Sequence, residues 1–327
     1  MKKEIRYEDF IFLGGNALSE NLRVDFMDYF KYLLDSDFVA VEDSLKDRME
    51  MKNFPKRSDQ QIIEGIVAVT LKDLEKKRKD KNYYICNALC LLQVIRRIFS
   101  IDLYNRLNGK DVPQIILHNY EHILKWILLD SQELCNLYCN IIKNDYKYPS
   151  NIDSRYVHYV SVHQVLRQSL FGQFSLNSFA DMEISAAIAV IRQLIEFRMR
   201  RAFGTLSYID AQGNLLPLEL SLVFECLKKH KDDIYLPISL ENVERIYKWS
   251  NLYIHSGKQD FSWMPYFVEQ VLKPLTFGER ESCGWDVKNG IKASRKVIDQ
   301  IYQELITLSK KPDVKIYACK PECILKD

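Results

Sequence analysis

Residues 239–257 read Ser-Leu-Glu-Asn-Val-Glu-Arg-Ile-Tyr-Lys-Trp-Ser-Asn-Leu-Tyr-Ile-His-Ser-Gly. Turned at ~100° per residue, Glu244, Lys248, Asn251 and His255 fall in one stripe about 60° wide, bordered by Arg245 and Leu252. Val243, Ile246, Tyr247, Trp249, Tyr253 and Ile254 take the opposite arc. The pattern has the period of a helix, not of a strand. Ser239 is placed to cap its start, with Asn242 three residues on, and Gly257 supplies the stop. The expectation is a helix anchored by aromatics, presenting a polar line that ends in a histidine.

Upstream, residues 182–204 read Met-Glu-Ile-Ser-Ala-Ala-Ile-Ala-Val-Ile-Arg-Gln-Leu-Ile-Glu-Phe-Arg-Met-Arg-Arg-Ala-Phe-Gly. This run is apolar around most of its circumference, which predicts a helix central to the core. Arg192, Glu196 and Arg200 lie at successive four-residue steps. Charges on a buried helix need partners, because an unpaired one costs several kcal/mol, about 3–5 when a partner is removed. Two readings stand side by side: an internal ion ladder, or an Arg192–Glu196 pair that orients the polar line of the 239–257 helix.

Helical spacing also covers 25–34, 60–81, 82–100, 113–144, 155–171, 217–230 and 286–310. Residues 143–154 are polar, contain Pro149 and break the periodicity. They divide the chain into a helical N-terminal domain, 1–150, and a second helical bundle, 151–310. Residues 314–325 are β-prone and interrupted by Pro321, so 311–327 is expected to be an extended tail lying on the helices. The fold class that results is all-α, a multi-helix bundle with a short β-prone end.

Composition agrees. The chain has 327 residues, 47% hydrophobic and 28% charged, with only 11 Gly and 9 Pro, as long helices on short connections require. Forty-six basic residues against 44 acidic ones leave +2. That excludes a strong global attraction to nucleic acid or anionic lipid but leaves a local patch open. The basic run Glu75-Lys-Lys-Arg-Lys-Asp-Lys81 reads either as a solvated helix end or as a phosphate-facing patch. The first residues carry no apolar run behind their charges, and no stretch reaches the roughly 18 to 20 apolar residues a membrane helix needs. With eight cysteines lacking a small-scaffold spacing, the expectation is a cytoplasmic chain with reduced thiols.

Metal, nucleotide and hydrolase signatures are wanting. Cys86/Cys90, Cys135/Cys139 and Cys319/Cys323 are each four apart, which suits one helix face but not the usual zinc spacing, so they read as core. His118 and His122 share that spacing without the Glu that a zinc hydrolase places after its first His, and read as structural. His158 and His163 point to different faces. Gly14-Gly15 stands alone, and no serine sits in a nucleophile elbow. No metal and no cofactor is therefore expected.

The chemistry left is that of the polar line. An imidazole titrates near neutrality and passes protons to or from a ribose hydroxyl or a leaving oxygen. Lys248 and Arg245 are suited to hold a phosphate beside it. The bland alternative is a polar stripe with His255 as a C-terminal cap. Trp263, Tyr266 and Phe267 follow directly and either stack a base or belong to the core.

The Ile-Arg-x-x-Ile-Glu helix ending at Gly204, followed by Ile-Tyr-Lys-Trp-Ser-Asn-Leu-Tyr-Ile-His-Ser-Gly, resembles the HEPN superfamily of helical domains over about residues 176–310. The resemblance implies a four- or five-helix bundle. It also implies a metal-independent ribonuclease of an antiviral-defence or stress system, dimerised so that two sites share one cleft. Asn251 and His255 match the family's later motif positions, while Ser250 stands where the family has Arg. In that reading His255 is the acid/base, Asn251 positions RNA and Lys248 holds its phosphate, the three forming the catalytic set, while Arg245, Arg192, Glu196 and Trp263 serve nucleic-acid binding. HEPN-like domains without the catalytic pair act as dimerisation or partner-binding modules, the alternative that Ser250 favours.

Overall fold

The computed structural model describes residues 26–109, 111–156, 184–258, 260–277, 280–281, 284–285, 290–309 and 313–326. These residues are mostly helical, with a few short strands, so the all-α expectation holds. The chain forms two compact units: Met1–Ala187 with Leu252–Phe267, and Ile188–Asn251 with Val268–Asp327. The division expected near residue 150 does not coincide with this one.

In the first unit run α1 (Phe26–Asp35), α2 (Val39–Arg48), α3 (Asp59–Ile66), α4 (Leu71–Arg78), α5 (Lys81–Ile98), α6 (Ile101–Leu107) and α7 (Gln114–Tyr138). The single helix expected over 60–81 is two, and capping explains the break. Thr70 Oγ1 accepts from Asp73 N at 3.1 Å, and Asp73 Oδ2 accepts from Val69 N at 3.0 Å. Those reciprocal bonds start a new helix and turn the chain out of the old one. Helix α5 packs against α3 and α7 and buries Tyr83, Tyr84, Cys86, Cys90, Leu91 and Ile95. Cys135 is buried on α7. Core packing is thus the role of these thiols.

Helix α7 runs into a π-helical turn, Cys139–Lys143, and stops at Asn144 in the left-handed region, φ 54°. The polar stretch beyond it is tied down. Glu133 Oε2 accepts from Ser150 Oγ at 2.8 Å and Asn151 N at 2.9 Å. Buried Asp130 accepts from the Arg155 guanidinium and, at 2.6 Å, from Ser262 N. Burial raises the Asp130 carboxyl pKa, and Arg155 and Ser262 oppose that rise. Of the helix expected over 155–171, Arg155 and Tyr156 are described and not helical, while residues 157–171, with the pair His158/His163, lie outside the described residues, as does the start of the 182–204 helix.

The second unit is built on α8 (Ile184–Phe203), α9 (Leu220–Lys229), α10 (Leu240–Ser256), α11 (Trp263–Phe277) and α12 (Arg295–Leu308), three of which begin or end in the first unit. Helix α8 is not apolar-buried all round: Val190 and Phe197 are 61% and 62% exposed. The helix expected from 286 starts at Arg295, because Ser294 caps it by accepting from Val297 N at 3.2 Å.

Strand β1 (Thr205–Ile209) turns back through Gly213 (φ 88°) into β2 (Leu215–Leu216), a hairpin the periodicity did not single out. Strands β3 (Arg280–Glu281) and β4 (Gly284–Trp285) pair with each other. The C-terminal segment is extended as expected, but it is built in. Strand β6 (Lys315–Ala318) lies antiparallel to β1, while β7 (Ile324–Lys326) lies parallel to β5 (Lys292–Ser294). Gly204 permits this approach: at φ 71°, a Cβ there would sit 2.5 Å from Cys319 O. No single described helix is long and apolar enough to cross a membrane.

Candidate functional site

Helix α10 forms as its periodicity predicts. Ser239 Oγ accepts from Asn242 N at 3.3 Å, and Gly257 (φ 64°) closes it by donating to Tyr253 O at 2.8 Å. Val243, Ile246, Tyr247, Trp249 and Tyr253 are buried. Ile254, expected on that arc, is exposed. Ser250 is fully buried and donates to Tyr247 O at 2.7 Å. An arginine at 250 would therefore enter the interior and not the polar line.

The guanidinium comes instead from α8. Arg192 Nη1 donates to Asn251 Oδ1, Nη2 donates to Tyr247 Oη at 3.3 Å, and Nε donates to Glu196 Oε1 at 3.0 Å. Tyr247 Oη in turn donates to Glu196 Oε1 at 3.2 Å. The Arg192 guanidinium carbon also lies 5.1 Å from the Tyr247 ring centroid. Burial, then Glu196, raises the Tyr247 phenol pKa. Elements of both readings of the α8 charges are present: Arg192 and Glu196 form an i,i+4 ion pair along the helix, and Arg192 alone reaches the polar line at Asn251. Arg200 belongs to neither, since it donates to Leu206 O at 2.8 Å and Leu218 O at 2.6 Å. A guanidinium carries five N–H donors, so two of those on Arg192 lie outside the three bonds above.

The other expected residues are placed as follows. His255, one turn beyond Asn251, is exposed. Lys248 is exposed and ion-paired to Glu244 at 3.0 Å, with Lys228 on the same carboxylate at 2.6 Å. Burial raises the Glu244 carboxyl pKa, but these two ammonium groups outweigh it and hold it below the usual range. Lys248 is thus a paired cation, one of two on the Glu244 carboxylate, not a free one. Arg245 is half-buried, and its Nε has no hydrogen-bond partner among the described residues.

Trp263 must be corrected. It is fully buried, stacked on Phe261 at 4.7 Å, with Nε1 donating to Asn87 Oδ1 at 3.2 Å. No face is open to a base, and Phe267 is likewise buried. The α7 histidines have partners, His118 lying 3.6 Å from Glu121. His118 is exposed beside His122, ring centroids 4.2 Å apart. Among the described residues no three metal-ligating side chains converge. Compared with protein-family models, with curated proteins and with solved structures, the chain finds no match.

Proposed function

We propose that this chain binds RNA in the manner of a HEPN-like domain and cleaves it without a metal, as a component of a microbial antiviral or stress system. The observation that supports this reading is the bond from Arg192 to Asn251. It brings a guanidinium to the motif's Asn even though residue 250 is Ser. In this mechanism neutral His255 takes the proton of a ribose 2′-hydroxyl as that oxygen attacks the adjacent phosphorus. The P–O5′ bond breaks, and the departing oxygen takes a proton from water. The products are a 2′,3′-cyclic phosphate and a 5′-hydroxyl. Asn251, held by Arg192, positions the phosphodiester, and the two spare Arg192 donors stabilise its charge.

The test is end-labelled single-stranded RNA with EDTA present. Cleavage to cyclic-phosphate ends is expected, with loss of about 100-fold or more in His255→Ala, as for removal of a general acid/base. DNA of the same sequence should remain intact. Equal cleavage by His255→Ala sinks the reading.

A second reading, a non-catalytic dimerisation or partner-binding module, is favoured by the exposed Val190 and Phe197, seven residues apart on α8. Light scattering on the wild type and on Val190→Asp/Phe197→Asp decides it. A stable dimer lost in the variant, together with no cleavage of any RNA, would put this reading first.

A further inference from the structure

A separate cleft in the first unit is formed by the end of α4 and the segment after α7. It measures about 530 Å³ and is lined by Glu75, Arg78, Lys79, Ile141, Tyr146 and Asp153. We infer that this cleft is a subsite for single-stranded nucleic acid, in which Tyr146 stacks on a base while Lys79 faces the phosphates and buried Arg78 holds the cleft wall. The inference shares only its class of ligand with the function proposed above.

Three observations carry it. Tyr146 is 69% exposed and Tyr148 58%, so two large rings face solvent on one short loop. That loop is held in place. Lys147 N donates to Asp145 Oδ1 at 3.1 Å, and Asp145 N donates to Cys139 O at 3.0 Å. Buried Asn140, with its amide turned to suit, donates to Asp145 O at 2.8 Å and Tyr148 O at 3.2 Å. An aromatic surface fixed before binding loses little freedom when a base settles on it.

The second observation is Arg78. It is only 7% exposed and donates to Asp153 Oδ1 at 2.5 Å, so it adds its charge to the cleft wall and fixes Asp153 there without itself reaching a ligand. Lys258 Nζ donates to the same Asp153 oxygen at 2.7 Å, so that carboxylate is already neutralised by two cations.

The third is charge. Residues 52–81 hold nine basic and five acidic side chains, whereas the whole chain nets +2. This stretch therefore carries the positive field, and the rest of the molecule is slightly acidic. Lys79 lines the cleft, is exposed and forms no ion pair among the described residues. Duplex is disfavoured, because its bases are stacked inside and offer no free face to a tyrosine.

Fluorescence anisotropy of a labelled oligo-dT 12-mer with the full chain tests the inference. The deoxy backbone cannot undergo 2′-hydroxyl cleavage, so the outcome does not depend on nuclease activity. Binding that falls steeply with salt is expected, together with weaker binding of the dA·dT duplex. Tyr146→Ala should weaken it about 5- to 100-fold, and Tyr146→Trp should restore it. Lys79→Glu should weaken it and flatten the slope of log K against log salt by about 0.7. Both positions are exposed, so unchanged thermal midpoints are expected. No salt-sensitive binding of the single strand, equal binding of duplex, or wild-type affinity in both Tyr146→Ala and Lys79→Glu would overturn the assignment.

Discussion

Glu244 sits between two lysines, and its titration gives the polar line of α10 a pH signature. Its folded pKa lies below the ordinary glutamate value of 4.5, so its contribution is present above that value and is lost as pH falls through the folded one. The expected outcome is a wild-type chain more stable than Glu244→Gln at pH 6, the gap closing as pH falls below 4.5. Urea midpoints of both chains across that range test it, and a gap that stays constant with pH would refute the assignment. At this scale the sequence was half legible. The stripe of Glu244, Lys248, Asn251 and His255 follows from helical geometry alone. The bond from Arg192 to Asn251 spans 59 positions, and spacing could pose it as one of two options but not decide. Trp263 was less legible, because an aromatic on an amphipathic run looks the same whether it faces the core or a ligand. Its partner Asn87 lies 176 positions away.

Between elements, α3 and α5 approach closely at Gly65. A Cβ added at Gly65 would stand 2.5 Å from Cys86 Sγ and 2.8 Å from Cys86 Cβ. Gly65→Ala gains about 1 kcal/mol of helix propensity but must push the two helices apart. Overpacking of this kind costs about 1–3 kcal/mol. A net loss in urea unfolding is therefore expected, smaller in a Cys86→Ala background. Strictly additive effects of the two substitutions would show that the helices do not meet there. Element types were readable wherever the period was long, as in α5, α7 and α10. Two features were not. The α3/α4 break rests on the reciprocal Thr70–Asp73 cap, a four-residue signal inside a longer apolar run. The β1–β2 hairpin is too short for an alternation to stand out, and its third strand comes from residues 315–318.

For the whole molecule, chain order and compactness disagree. The crossings between units fall inside α8, α10 and α11, after Ala187, Asn251 and Phe267. A polar stretch such as 143–154 resembles a linker in sequence, yet Glu133 binds its Ser150 and Asn151, and Asp130 holds Arg155 just beyond it. An expressed fragment of residues 151–327 would expose Trp263 and Phe261 and leave Ser262 without Asp130. It is expected to aggregate or to bind hydrophobic dye, and near-UV circular dichroism of the soluble fraction measures this. A fragment with sharp aromatic signals and a cooperative melt would show that the two halves fold alone.

The thiols offer a further consequence. Cys86, Cys90 and Cys135 are shut inside one unit and Cys226 inside the other. Burial pushes the Cys135 and Cys226 thiols up to about 12, so almost no thiolate is available to react while the fold is closed. Alkylation at each position then waits on local opening, and mapping the labelled cysteines by mass against time would read, in one unmodified sample, which half of the protein breathes first.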